Sequence, residues 1–150
     1  MKYTSIAVGA DGSETALYAV RRAASLAAAY EAKLVIICAY NRNSHSVLSS
    51  PTIEGTSAPV VGDQTADEYL KEAEAVALDE GAKNVVLRKV AGSPVNVLTE
   101  TCLEEGAEVL VLGNQGIRSF SGRIFGNIPT GVARRSPVDV MIVNTQSAVS

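Results

Sequence analysis

Three glycines, Gly113, Gly116 and Gly126, spaced G-x2-G-x9-G and followed by Asn127, form the stretch of this 150-residue chain best suited to hold an anion. Glycine permits positive φ and lets backbone come close to a ligand. A helix opening at Asn127 would add unpaired N–H groups and partial positive charge, which suit a phosphate. Arg118 and Arg123 fall inside the stretch and could contribute charge-assisted hydrogen bonds of about 1.5–3 kcal/mol each. From Gly113 to Arg135 there are four arginines and none of the 16 acidic residues. The last two, Arg134 and Arg135, read as charges at a helix C-terminus.

Two shorter polar stretches follow apolar runs in the same way: Gly9-Ala10-Asp11-Gly12-Ser13 and Ala39-Tyr40-Asn41-Arg42. Asp11 could meet a ligand or complete a turn with Gly12 and Ser13. Other chemistries lack their residues. His45 is the only histidine, and Cys38 and Cys102 have no partner spacing, which disfavours a zinc site. No G-x4-G-K-[ST] or G-x-S-x-G occurs, and no base stands beside the glycine stretch, so no catalytic residue is assigned. A dinucleotide enzyme would carry its glycine fingerprint in the first turn, where only Gly9 and Gly12 stand.

The elements that must position these residues alternate. Tyr3–Val8, Lys33–Tyr40, Asn84–Val90, Glu108–Leu112 and Val138–Val143 are rich in β-branched residues and read as strands. Three of them are nearly continuous in apolar character, as expected of strands covered on both faces. Between them, Glu14–Ala29, Asp67–Glu80, Pro94–Glu105 and Asn127–Arg135 carry helical stripes, with Ser13, Ser93 and Asn127 as caps. The order predicts an α/β fold: an open five-stranded parallel sheet with helices on both faces. Ligands of such sheets bind beyond the strand C-termini, which selects the three stretches above.

Length favours a single domain over residues 1–150, interrupted by Asn41–Gln64, a Ser-, Thr-, Pro- and Gly-bearing insertion. At 47% hydrophobic residues the chain can fill a core, and no apolar run approaches the ~18 residues of a membrane span. Its first apolar run is too short for a signal peptide. Net charge −3 argues against nucleic acid or an anionic membrane as partner. With two unpaired cysteines, a cytoplasmic location is expected.

The sequence resembles the nucleotide-binding universal stress proteins, whose motif G-x2-G-x9-G-[S/T] precedes a helix and a last apolar strand. Here it reads Gly113-Asn-Gln-Gly116, then Gly126-Asn127 after nine residues. Ile6–Ser13 and Val132–Val143 match the family's opening and close. The resemblance implies a Rossmann-like domain, homodimerisation through the last strand and ATP binding. By position, Ala10 and Asp11 would meet adenosine, Ala39 the adenine, and Leu112 the base or ribose. Gly113, Gly116, Gly126, Asn127 and Ile128 would hold ribose and phosphates. Asn127 replaces the usual Ser or Thr; it can cap and donate, but it is bulkier. AMP and cyclic AMP therefore stand beside ATP as ligands, with Mg2+ accompanying ATP. Two alternatives are a ligand-free dimeric stress factor and a weak ATP-hydrolysing enzyme.

Overall fold

The structure, a computed structural model, describes residues 1–42, 61–114 and 127–146. The elements run β1 (Ser5–Gly9), α1 (Glu14–Tyr30), β2 (Lys33–Tyr40), α2 (Asp63–Asp79), β3 (Asn84–Ala91), α3 (Pro94–Glu105), β4 (Val109–Gly113), α4 (Asn127–Arg135) and β5 (Asp139–Val143). All strands pair in parallel in the order β3-β2-β1-β4-β5. The chain winds outward from β1 to β3, then crosses back to place β4 on the other side of β1. The expected sheet is thus present, with its winding reversal between β1 and β4.

Strand residues alternate between two apolar layers, as a pleat requires. Ile6, Val8, Leu34, Ile36, Val109 and Val111 pack with Val20, Ala24 and Ala27 of α1 and Leu70, Ala73 and Ala77 of α2. Ala7, Val35, Ile37 and Leu110 face the other way, against Leu98 and Cys102 of α3 and Val132 of α4. Small residues on α1 let it lie close to the sheet. Both cysteines are buried, and burial pushes their thiols up to about 11, which leaves them as protonated core groups.

Three details differ from the sequence reading. α2 starts four residues before Asp67, because Gly62 occupies its N-cap and Asp63 and Asp67 both pair with Lys89 of β3. The insertion correspondingly ends before Gln64: Val61 is buried, and its carbonyl accepts the Asn41 N–H at 2.8 Å. Ser93 sits at the cap of α3 but makes no side-chain cap bond, whereas Ser13 Oγ accepts from Ala16 N at 3.1 Å. β5, apolar in sequence, is not covered on both faces. It stands at the sheet's edge, as expected of the strand through which two copies would pair, but with Met141 and Ile142 exposed.

Charge also ties the layers. The Glu105 carboxylate accepts from Arg88 at 2.7 Å and from Lys33 at 3.1 Å, and these bonds, Arg88's first, hold it below its ordinary 4.5. A carboxyl held low in the folded chain stabilises it fully above the unfolded value, and that stabilisation is lost as pH falls through the folded value. Urea midpoints are therefore expected to fall as pH drops below 4.5. Glu105→Gln should make that fall shallower and lower the midpoint at neutral pH; an identical pH profile would contradict the role given to the pair.

Candidate functional site

The reversal point opens between the C-terminal ends of β1 and β4, with β2 alongside. Gly9, the last residue of β1, lies under two side chains: a Cβ there would meet Leu98 Cδ2 at 3.3 Å and Leu112 Cδ2 at 3.4 Å. Ala10 is buried, and its N–H donates to the Ile37 carbonyl at 2.9 Å, so the chain leaving β1 is fastened to β2. Beyond it, exposed Asp11 closes a turn in which Oδ1 accepts from Ser13 N at 2.9 Å and Ser13 Oγ at 2.6 Å. One oxygen completes the turn, and Oδ2 takes no hydrogen bond among the described residues.

Gly12 is required between them. Its φ is +86°, and a Cβ would fall 2.3 Å from the Tyr69 ring of α2. The turn is thereby pressed against α2, just beyond the C-terminal end of β1.

The apolar wall comes from three separate strand ends and helices. Ala39, near the end of β2, is half-buried and pairs in register with Val90. Leu112 of β4 is buried, and half-buried Ile128 stands in the first turn of α4. All three pack in the layer shared with Leu98, Val95 and Val97 of α3. Residues that the sequence spreads over about ninety positions thus share one apolar layer on one face of the sheet. Asn127 is the first residue of α4. Gly116, Arg118, Arg123 and Gly126 lie outside the described residues. Arg134 and Arg135 are exposed in the last turn of α4, and Arg135 donates to Asn96 Oδ1 at 2.6 Å, in keeping with helix-end charges.

Sequence reasoning did not find Asn114, Thr145 and Thr15. Asn114, the first residue past β4, accepts on its Oδ1 from Thr145 N at 3.0 Å and Thr145 Oγ1 at 2.9 Å. Gly113 is packed between these groups: a Cβ would meet Thr145 Cγ2 at 2.9 Å and the Thr15 carbonyl at 3.5 Å. No spacing in the sequence signals this, because the partners are 31 residues apart and the bonding atoms are ordinary amide and hydroxyl groups.

The described residues thus place an apolar layer, the exposed Asp11 carboxylate and a glycine packed against Thr145 at the C-terminal ends of β1, β2 and β4. Among the described residues there is no group of three or more His, Cys, Asp or Glu able to hold a metal ion, and no helix long and apolar enough to cross a membrane.

Residues 2–144 match the model of the universal stress protein family. A universal stress protein of Mycobacterium tuberculosis is 40% identical over 143 residues, spanning 95% of this chain and 97% of that protein. The crystal structure of a universal stress protein in complex with cAMP superposes with a TM-score of 0.76 at 37% identity, covering 97% of this chain and 100% of that one. The universal stress protein of Archaeoglobus fulgidus in complex with dAMP superposes with a TM-score of 0.68 at 21% identity, covering 96% and 100%, which is a likeness of fold.

Proposed function

The chain belongs to the universal stress protein family, and on that premise we propose that it binds an adenine nucleotide, as ATP, AMP or cyclic AMP, at the C-terminal ends of β1, β2 and β4. The observation that carries this reading is the meeting of Ala39, Leu112 and Ile128 in one apolar layer at the winding reversal, beside the strand end that leads into Asp11. A base buried against such a wall gains roughly 25 cal/mol per Å2 of apolar surface, and a few polar groups then fix its orientation. The cAMP complex of the 37%-identical relative supports the class of ligand.

In this reading Ala39, Leu112 and Ile128 flank adenine, and Ala10 and Asp11 meet the adenosine. Gly113, Gly116, Gly126 and Asn127 hold ribose and phosphates through backbone and amide donors, with Arg118 and Arg123 adding charge. Magnesium would travel with ATP on its phosphates, and no protein ligand is assigned to it. With no catalytic base assigned, the nucleotide acts as a signal and not as a substrate. The protein works as a cytoplasmic regulator whose conformation or partner choice the nucleotide sets. Two copies join through the exposed apolar edge of β5, since an unpaired apolar edge is an aggregation hazard that pairing removes.

Native mass spectrometry of freshly purified protein, titrated with ATP, AMP and cyclic AMP, tests both parts. The expected spectrum is a dimer carrying one nucleotide per subunit, and Gly116→Val should abolish the adduct while leaving the far-UV circular dichroism unchanged. Absence of any adduct at millimolar nucleotide would overturn the binding site. A monomer at micromolar protein would overturn the β5 pairing alone.

A further inference from the structure

The chain needs a glycine at position 113 for close packing, and a glycine is also the residue least able to fix the direction of the chain that follows it. Gly113 is the last residue of β4, paired with Val143, and the glycine stretch begins there. Something else must therefore decide how the chain departs. The described residues supply it. Asn114 N donates to the Val143 carbonyl at 3.0 Å, while Asn114 Oδ1 accepts both polar hydrogens of Thr145. Thr145 is only 1% exposed, Asn114 is half-buried, and the Thr145 methyl group sits over Gly113. On the other side of Gly113 lies the carbonyl of Thr15. Thr15 Oγ1 is 3.1 Å from Ser13 Oγ, which in turn donates to Asp11. Two small hydrogen-bonded groups thus flank Gly113: Asn114 with Thr145 on one side, and Thr15 with Ser13 and Asp11 on the other.

We propose that Asn114 and Thr145 are a positioning pair for nucleotide binding, a latch that fixes the departure of the chain from β4 without touching the ligand. This rests on the adenine-nucleotide reading of the site. The latch acts by preorganisation: a loop start held in its bound direction before the ligand arrives spares the ordering cost at binding. Coupling between a ligand and such an element is reciprocal, so the bound nucleotide tightens the latch by the factor that the latch tightens the nucleotide.

The test compares Thr145→Val, which keeps the shape and removes the hydroxyl, with Thr145→Ser, which keeps the hydroxyl. Calorimetric titration with ATP, AMP and cyclic AMP is paired with amide hydrogen exchange on the ligand-free and ligand-bound protein. Thr145→Val is expected to weaken nucleotide binding about tenfold, equivalent to about 1.4 kcal/mol, and to speed exchange of the Asn114 amide about as much in the ligand-free protein. Thr145→Ser should stay within about twofold of wild type in both, and the nucleotide should slow exchange at the Thr145 amide of the wild type. Wild-type affinity in Thr145→Val would overturn the positioning role, as would an equal loss in Thr145→Ser. Should the wild type bind none of the three nucleotides, the reading of the site fails. Exchange at Asn114 then decides the latch by itself, and an unchanged rate in Thr145→Val would overturn it.

Discussion

Asp11→Asn should lower adenine-nucleotide affinity by about 10- to 150-fold while leaving the denaturant midpoint nearly unchanged, the range that corresponds to one hydrogen bond to a charged group. The two carboxylate oxygens do different work. Oδ1 closes the turn by accepting from the amide and hydroxyl of Ser13. Asparagine keeps an oxygen for that task, so the turn, and with it the Ser13 cap on α1, should survive the substitution. Oδ2 has no hydrogen-bond partner among the described residues, and Asp11 is exposed just beyond the end of β1. Asparagine turns this acceptor into a donor, so a nucleotide hydroxyl or amino group that donates to Asp11 loses its partner. Asp11→Ala removes both functions and should add a stability loss of about 0.5–2 kcal/mol, the usual cost of deleting a turn or cap interaction. Calorimetric titration of the two variants beside urea melts separates the roles. Wild-type affinity in Asp11→Asn would reduce Asp11 to a turn residue.

What the sequence revealed, and what it hid, divides by the range of the interactions involved. The β-branched runs and helical stripes are local signals, and each of the expected strands and helices appears within a few residues of its place. Ser13 was legible as a cap for the same reason: its partner, Ala16 N, is three residues away. The first turn of α2 was not, because the groups that hold it are distant. Asp63 is bound by Lys89, 26 residues on, and Gly62 caps without a side chain. Bonds to Asp63 and Asp67 push the Lys89 ammonium's pKa upward. The edge position of β5 was legible, but the exposure of its side chains was not. An unbroken apolar run suggests cover on both faces, yet at this edge Met141 and Ile142 stay exposed. At the proposed site, the glycine pattern is a matter of spacing, whereas Ala39, Leu112 and Ile128 were named through the family resemblance, and the structure places the three in one apolar layer. The link between Asn114 and Thr145 followed from neither, since an Asn and a Thr 31 residues apart carry no periodicity.

That link also determines what position 113 can tolerate. Gly113→Ala is expected to destabilise the protein by about 1–3 kcal/mol, the range for forcing an extra carbon into a packed site. The new Cβ would lie 2.9 Å from Thr145 Cγ2, closer than carbon atoms approach without displacement. A flexible side chain would swing aside, but Thr145 is fully buried and held by two hydrogen bonds to Asn114, so yielding means breaking them. The Thr15 carbonyl, at 3.5 Å, is an ordinary contact and adds little. Thr145→Ser deletes only the methyl that collides. Alone it should cost about 1 kcal/mol for the lost buried methyl. In the Thr145→Ser background, Gly113→Ala should then be close to neutral, or stabilising by a few tenths of a kcal/mol through the lower entropy of the unfolded chain. Urea denaturation of the wild type, both single variants and the double variant gives the coupling energy. The expected result is a double variant no less stable than Thr145→Ser alone; simple additivity would mean that Gly113 is not confined by Thr145. Nucleotide affinity should follow the same pattern, falling in Gly113→Ala and recovering when the serine restores room for the Asn114 bonds, because the collision and the binding defect would share one cause.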